Sequence, residues 1–478
     1  MENRDACLPT TSPGQSLPPH VVQRLALLQS VCSSDFSSDL EAHLKTLAAL
    51  CKDPSLEQKL LEEIQRQTRA EARKILAQEE IICDCLIVGT GPAGVSLAAK
   101  LRELLPEVNM LMVDERGYRG GQFADEGYNY KLNTPRVGRI GFPGELKDPN
   151  NLGSGAFLQL QDITGDEEYP PRKKLATCLQ VNGFIAAPAL LGVKVGFTEV
   201  SGSSHNPYLV HALDKETGKY FVLGSRVVAF ARGRGKPKYG QGLTVLDAQD
   251  IPARRERNVY VSEAFDAYTD SLSSQDLFNL IKNGLVFIGA GDSTNTALDA
   301  ILSKLLTAFS PEEIKELHIA VYGAKYTSGL DFEQVVRIPR YNTLIPYIGT
   351  LIHPHAEKVQ DLMFVAQGGV GITTSTSMRV YNTVAMMTGQ QNIPIEKLVN
   401  KPGGEAVKLV GVTGTDLLQG ELIAQQVEGE NIFSVGVDVQ EEFPGQPPVF
   451  SRSIVRHTPR ILAMAEKIAD ILRPTKDR

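Results

Sequence analysis

Apolar and polar positions along the chain fall into distinct regimes. Residues 1–18 are polar and rich in Pro and Ser, and predict a disordered start. From residue 20 to residue 80 apolar positions recur at helical spacing, as in Leu40, Leu44 and Leu47, then Leu56, Leu60 and Ile64. Between Leu56 and Glu80 the intervening residues include Ala, Glu, Gln, Lys and Arg, with no Gly or Pro, which predicts one long helix. This region reads as a helical cap on the main body in preference to a dimerisation or partner arm.

At Ile81 the character changes. Ile81-Ile82-Cys83-Asp84-Cys85-Leu86-Ile87-Val88 is a short apolar run that predicts a buried strand. Gly89, Gly91, Pro92, Ala93 and Gly94 follow, then a helix pattern from Val95, then a second strand over 108–113 that ends at Asp114. The acid lies about 20 residues beyond Gly94, the spacing that a dinucleotide-binding strand–turn–helix–strand unit requires. Gly89 allows the tight turn. Gly91 lets the backbone approach a pyrophosphate seated on the helix N-terminus, and Gly94 lets helix and strand pack closely. Asp114 is the expected hydrogen-bond acceptor for a ribose hydroxyl.

A second copy begins at the strand 284–288, followed by Gly289, Ala290, Gly291, Asp292, Ser293 and Thr294. A helix is expected over 296–309 and a second strand over 317–322. Thr294 stands where the third Gly is expected, so helix–strand packing must differ there. The second strand carries no terminal acid, and Lys325 follows instead. A cation there can neutralise a 2′-phosphate, which favours NADPH over NADH; the alternative is a solvated surface lysine.

Composition narrows the picture. The chain has 478 residues, enough for two or three domains, with 42% hydrophobic and 22% charged residues. Lys and Arg number 49 against 56 Asp and Glu, a net charge of −7, which argues against a protein built to coat nucleic acid. No apolar run approaches the length of about 18 residues that a membrane span needs. The start lacks the charged-then-apolar order of a secretory signal. The six cysteines are scattered, which fits reduced thiols and a cytoplasmic location. Cys83 and Cys85, and Cys178 on an expected helix, read as structural.

Two Rossmann units, the first of the Gly-Thr-Gly-Pro-Ala-Gly form, resemble the two-dinucleotide-domain flavoproteins. These include thioredoxin-reductase-like enzymes, ferredoxin–NADP reductase relatives of the adrenodoxin type and flavin-containing monooxygenases. The resemblance covers roughly residues 82–478. Arg119-Gly120-Gly121-Gln122 is similar to the Gly-Gly-Gln near the flavin in that family. The strand ending Phe230-Ala231-Arg232-Gly233 resembles the one ending Ala-Thr-Gly, with Arg232 in place of Thr. Ile432 to Asp438 resembles the late strand whose Gly-Asp contacts FAD, although Val437 separates Gly436 from Asp438.

The resemblance implies an α/β fold: a FAD-binding Rossmann-like domain with an inserted NAD(P)-binding one, plus the N-terminal helical extension. The expected boundaries are 1–80 for the extension, 81–275 and 396–478 for the FAD domain, and 276–395 for the NAD(P) domain. It implies FAD and NADPH (or NADH) as cofactors, with hydride passing from nicotinamide to flavin.

The acceptor stays open. Disulfide reduction needs a cysteine pair near the flavin, and no CxxC is present. In one reading the reduced flavin uses oxygen on a small-molecule substrate, and the segment 331–355, with Arg337, Arg340, Tyr341, Tyr347, His353 and His355, lines a water-excluding pocket. In a second, the flavin feeds an electron carrier; Asp292-Ser293 resembles the Gly-Asp-Ser/Thr of reductases. A third reading is a non-catalytic FAD-binding scaffold or redox sensor, contacting a partner or a second copy through the N-terminal helices. His353-Pro354-His355 reads as a loop pair and not as a metal site. The run Arg254-Arg255-Glu256-Arg257 reads as a solvated turn, and the glycine- and threonine-rich stretch 367–377 reads equally as a close approach to a ligand or as a flexible loop. No catalytic acid or base is identifiable.

Overall fold

The computed structural model describes residues 19–28, 40–124, 157–158, 160–165, 167, 169–201, 207–233, 235–237, 244–245, 258–365, 369–388, 390–391, 394–414, 422–436, 440–441, 449–450 and 454–473. The expected disordered start, the Arg254–Arg257 run, Gln367-Gly368, Val437 and Asp438 lie outside the described residues.

The chain opens with α1 (Pro19–Ala26), α2 (Leu40–Lys52) and α3 (Pro54–Leu76). The first strand–turn–helix–strand unit follows as β1 (Ile81–Val88), α4 (Pro92–Leu104) and β2 (Met110–Asp114). After it come α5 (Leu160–Thr164), α6 (Arg172–Ala186), β3 (Ala189–Leu191), β4 (Val193–Val200), β5 (Tyr208–Asp214) and β6 (Tyr220–Phe230). The next stretch is β7 (Val259–Val261), α7 (Ser262–Ser271) and α8 (Ser274–Lys282). The second such unit is β8 (Leu285–Ile288), α9 (Asp292–Leu305), α10 (Pro311–Lys315) and β9 (Ile319–Tyr322). Then come α11 (Phe332–Arg337), a 3-10 helix at Pro339–Tyr347 and β10 (Ile352–His355). β11 (Asp361–Phe364), β12 (Val370–Thr373), β13 (Met378–Tyr381) and β14 (Thr383–Met386) lead out of this region. The last elements are β15 (Leu409–Thr413), β16 (Leu422–Val427), β17 (Ile432–Val435) and α12 (Ile454–Leu472).

The chain divides into two compact units, one of residues 1–124, 134–233 and 393–478, the other of 125–133 and 234–392. In the first unit β1 lies between β2 and β6, parallel to both, and β3 extends the parallel layer beyond β2. The first half of β6 pairs antiparallel with β5, and its second half pairs parallel with β17. β1 is buried on both faces over Cys85–Val88, as a strand covered on two sides must be. The helix α12 packs on α4.

The N-terminal helices belong to this same unit. Asp53 caps α3 by accepting from the N–H groups of Ser55 and Leu56, with Pro54 in the first turn. The helix then buries Leu60 and Ile64 and packs on α6 and β3. Its first turn is pinned to α6: the Glu57 carboxylate accepts from the Lys174 ammonium at 2.8 Å and the Thr177 hydroxyl at 2.5 Å.

In the second unit β10, β9, β8, β14 and β7 form a parallel sheet in that order. Side chains alternate between its faces. Leu285, Phe287, Ile319 and Val321 pack against helix residues such as Leu298, Leu302 and Phe265. Val286, Ile288, Ala320 and Val384 pack against Leu362, Val370 and Ile372 of the antiparallel meander β11–β12–β13. The meander therefore covers one face of this sheet.

Two sequence expectations need correction. The boundary expected at 275–276 lies earlier, because β7 pairs through Val259–Val261 with β14 and joins the second sheet. His353-Pro354-His355 is a strand and not a loop. It pairs with Ala320–Tyr322 at the sheet edge, where a proline leaves no central ladder bond unmade.

Candidate functional site

The first turn is built by close backbone approach. Gly89 has φ +116°, and a Cβ there would lie 2.3 Å from the Ala231 carbonyl oxygen at the end of β6. A Cβ on Gly94 would sit 1.9 Å from the Gly89 oxygen, so α4 packs onto the turn with no room for a side chain. Gly91 is the N-cap of α4 and has no side chain to cap with, and Pro92 occupies the first turn. The first-turn N–H groups are thus left to an external acceptor, the electrostatic setting for an anion.

Other expected residues converge on this turn. Gly121 has φ +56°, and a Cβ on it would lie 2.9 Å from the Gly91 Cα. Gly436, with φ +79°, comes so close that its Cβ would be 2.8 Å from the Ala93 Cβ. Ala231, Gly121, Gly436 and Ala93 therefore surround Gly89–Gly91. The Gln122 backbone oxygen accepts from the Arg172 guanidinium. Around Gly91 itself the nearest neighbour of a Cβ would be the Gly121 Cα at 3.8 Å, so bare backbone is presented there. This cradle of side-chain-free backbone at a helix N-terminus fits a dinucleotide pyrophosphate.

Asp114 is buried at the end of β2. Its Oδ2 accepts from the Thr90 N–H at 2.7 Å and the Thr90 hydroxyl at 2.8 Å, and its Oδ1 accepts from the Arg116 N–H at 2.9 Å. The carboxylate thus fastens the turn to the strand end. Sequence reasoning missed Thr90, whose role depends on a partner on another strand.

In the second unit Gly289 has φ +105°, and a Cβ on it would sit 2.3 Å from the Met387 oxygen. Gly291 is the N-cap of α9 and again offers no side-chain cap. Thr294, fully buried, donates from its hydroxyl to the Gly289 oxygen at 2.6 Å. Ser293 is exposed beside it. Asp292 accepts through Oδ1 from the Tyr341 hydroxyl at 2.9 Å and the Gln334 amide at 3.1 Å. Burial, then the Asp292 charge, raise the Tyr341 phenol well above its ordinary range, so it stays a donor. Arg340 donates to Asp299 at 2.7 Å, and His353 lies 2.6 Å from the Thr350 oxygen. Tyr341, Arg340 and His353 thus have partners inside this unit. The Arg337 side chain lies outside the described set.

Lys325 is exposed, with its ammonium 5.8 Å from the Tyr326 ring centroid. The Tyr326 hydroxyl would be 3.7 Å from a Cβ on Gly291, which puts an aromatic hydroxyl at the mouth of the second turn. No sequence signal marked it. His355 stacks on Tyr322 at 4.7 Å, and burial lowers its pKa below the usual 6.5.

The described cysteines, Cys51, Cys83, Cys85 and Cys178, form no disulfide and are buried. Burial pushes the thiols of Cys51 and Cys83 up to about 12, and Cys85 well above its ordinary value. Among the described residues no cluster of three or more His, Cys, Asp or Glu has metal-binding geometry, and no helix is long and apolar enough to cross a membrane.

No family model and no curated protein matches the chain. Solved structures do. Ornithine hydroxylase from Pseudomonas aeruginosa superposes with a TM-score of 0.52 at 15% identity, covering 82% of this chain and 100% of its own. Bacillithiol disulfide reductase from Staphylococcus aureus and a flavin monooxygenase from Stenotrophomonas maltophilia each give 0.50 at 14% identity, with the same coverage. The likeness shows the fold alone: an α/β architecture of Rossmann-like units shared with these structures.

Proposed function

We propose that the chain is a FAD-dependent oxidoreductase that draws hydride from NAD(P)H and passes its two electrons to oxygen, one atom of which goes to a small-molecule substrate and the other to water. The observation that carries this reading is the pair of turns at Gly89–Gly91 and Gly289–Gly291. Each has a glycine at positive φ pressed against a backbone carbonyl, and each is followed by a helix whose N-cap has no side chain.

In this reading the first-turn N–H groups of α4 bind the FAD pyrophosphate, and Gly121 and Gly436 keep its approach clear of side chains. Asp114 holds the turn through Thr90 and keeps acceptor capacity for a ribose hydroxyl. Gly291 and the start of α9 bind the nicotinamide dinucleotide, and Lys325 meets a 2′-phosphate, which favours NADPH. Asp438 completes the FAD contacts. When bound, FAD supplies the two-electron acceptor that protein side chains lack.

Oxygen is the favoured acceptor because the described thiols are buried and those of Cys51, Cys83 and Cys85 are held protonated, which does not suit the thiol–disulfide exchange of a disulfide reductase. A soluble, cytoplasmic setting accords with the scattered reduced cysteines.

The test is an absorbance spectrum of purified protein supplied with FAD, then anaerobic NADPH and, separately, NADH. Bleaching with NADPH and rapid recovery in air is the expected result. Slow recovery in air, restored by an added electron carrier, would replace oxygen with a carrier. Bound flavin that neither nucleotide reduces would leave a scaffold or sensor.

A further inference from the structure

One buried cation lies outside the scheme above. Arg119 stands just before Gly120-Gly121, yet only 2% of it is exposed. Its guanidinium donates through Nη1 to the Thr68 hydroxyl on α3, and through Nη2 to the Ala187 carbonyl at 3.2 Å. It also lies over the Phe184 ring at 5.8 Å. Its aliphatic stem passes Gly183, where a Cβ would meet the Arg119 Cδ at 3.0 Å. The Thr68 hydroxyl is fully used, because it donates its own proton to the Ile64 carbonyl at 2.7 Å and accepts from Arg119. A second arginine seals the same place. Arg24 on α1 makes a bidentate pair with Glu71 on α3 at 2.9 and 2.8 Å, and lies 4.7 Å from the Phe184 ring centroid.

The backbone beside Arg119 points the other way. The Gly120 N–H donates to the Thr90 carbonyl at 3.0 Å, and Gly121 abuts Gly91. One residue thus joins the N-terminal helices to the turn that begins the first dinucleotide site. The link is short: the Thr68 hydroxyl, the Arg119 guanidinium, the Gly120 N–H and the Thr90 carbonyl.

We infer that α1 and α3 brace the first cofactor turn through Arg119, so that the helical extension sets how tightly FAD is held. Arg119 is a positioning residue, and the inference rests on the FAD reading proposed above. A desolvated guanidinium keeps its place only while its acceptors are present, and an acceptor lost to it leaves a buried charge short of a partner. The loop 119–121 then shifts to seek another, and the turn shifts with it.

The experiment is a titration of the full-length apo-protein with FAD, read by quenching of flavin fluorescence, with a thermal melt of each apo-variant. Thr68→Val keeps the shape and loses the acceptor; Thr68→Ser keeps the acceptor and loses a methyl. The brace predicts that Thr68→Val raises the Kd for FAD ~10-fold and that Thr68→Ser stays within about twofold of the parent. A role in packing alone predicts the reverse order, with Val harmless and Ser harmful. Glu71→Gln, which weakens the Arg24 seal, should raise the Kd by a smaller factor, about threefold. If Thr68→Val binds FAD as the parent does, the brace is overturned while the FAD reading stands. If the parent takes up no FAD, both are overturned.

Discussion

In the first unit Gly94 leaves no space above the Gly89 oxygen, where a Cβ would approach to 1.9 Å. In the second unit the matching position is Thr294, and its hydroxyl donates to the Gly289 oxygen at 2.6 Å. Both arrangements fill the gap between turn and helix, one by contact and the other by a hydrogen bond. The second helix must stand far enough off its turn to admit a side chain, and the bond recovers part of the lost contact. Thr294 therefore joins helix to turn in the second unit, as close contact at Gly94 does in the first. The other elements of the two turns agree: a positive φ at the first glycine, with a carbonyl against it, and an uncapped helix start.

The comparison breaks most readily if one solution is exported to the other unit. Gly94→Thr should force α4 off β1, cost about 4 kcal/mol and abolish FAD binding, as read by thermal melt and flavin titration. A variant that keeps FAD would show that α4 can move as α9 has. Next in size is Gly289→Ala, which places a Cβ at φ +105° and 2.3 Å from the Met387 oxygen. It should cost about 2–3 kcal/mol and remove reduction by NADPH while FAD stays bound. Loss of FAD as well would mean that the two sites are not separate.

Thr294→Gly restores the usual pattern but leaves α9 where it is. The expected cost is about 1–2 kcal/mol, with the KM for NADPH raised severalfold and FAD affinity unchanged. The smallest effect concerns pH. Burial lowers the pKa values of both His318 and His355, with His353 adding for His318 and Arg379 for His355. The unfolded chain therefore binds more protons below pH 6.5, and stability should fall as pH drops through that value. The Tm between pH 7 and pH 5 should decline less in His355→Gln than in the parent.

What the sequence disclosed follows from backbone geometry. Ile81 to Asp114 could be read because the turn, the close approach and the helix packing each demand glycine at a set place, and β1 formed over the expected residues. Gly121, Ala231 and Gly436 are gathered around the first turn in keeping with the resemblance. The rest depended on partners distant in sequence. β7 is three residues long, too short for any periodicity, and is defined by its pairing with Val384–Met386. The burial of Arg119 depends on Thr68 and Ala187, 51 and 68 residues away along the chain. Lys325 lies exposed after β9, where the strand–loop pattern puts it.

The path of the chain through the first sheet bears on how the molecule is made. β6 leaves its Val228–Phe230 edge to be paired by Ile432–Ser434. A ribosome that has finished β6 must therefore synthesise the whole second unit before that edge acquires its neighbour. During that interval a buried-type strand end is open to other chains, a state prone to aggregation. Contacts of such long sequence separation also slow the final closure. The second unit has all its described strands from β7 to β14 in hand by Asn392 and is able to fold first, so the first unit to be translated is the last to be completed.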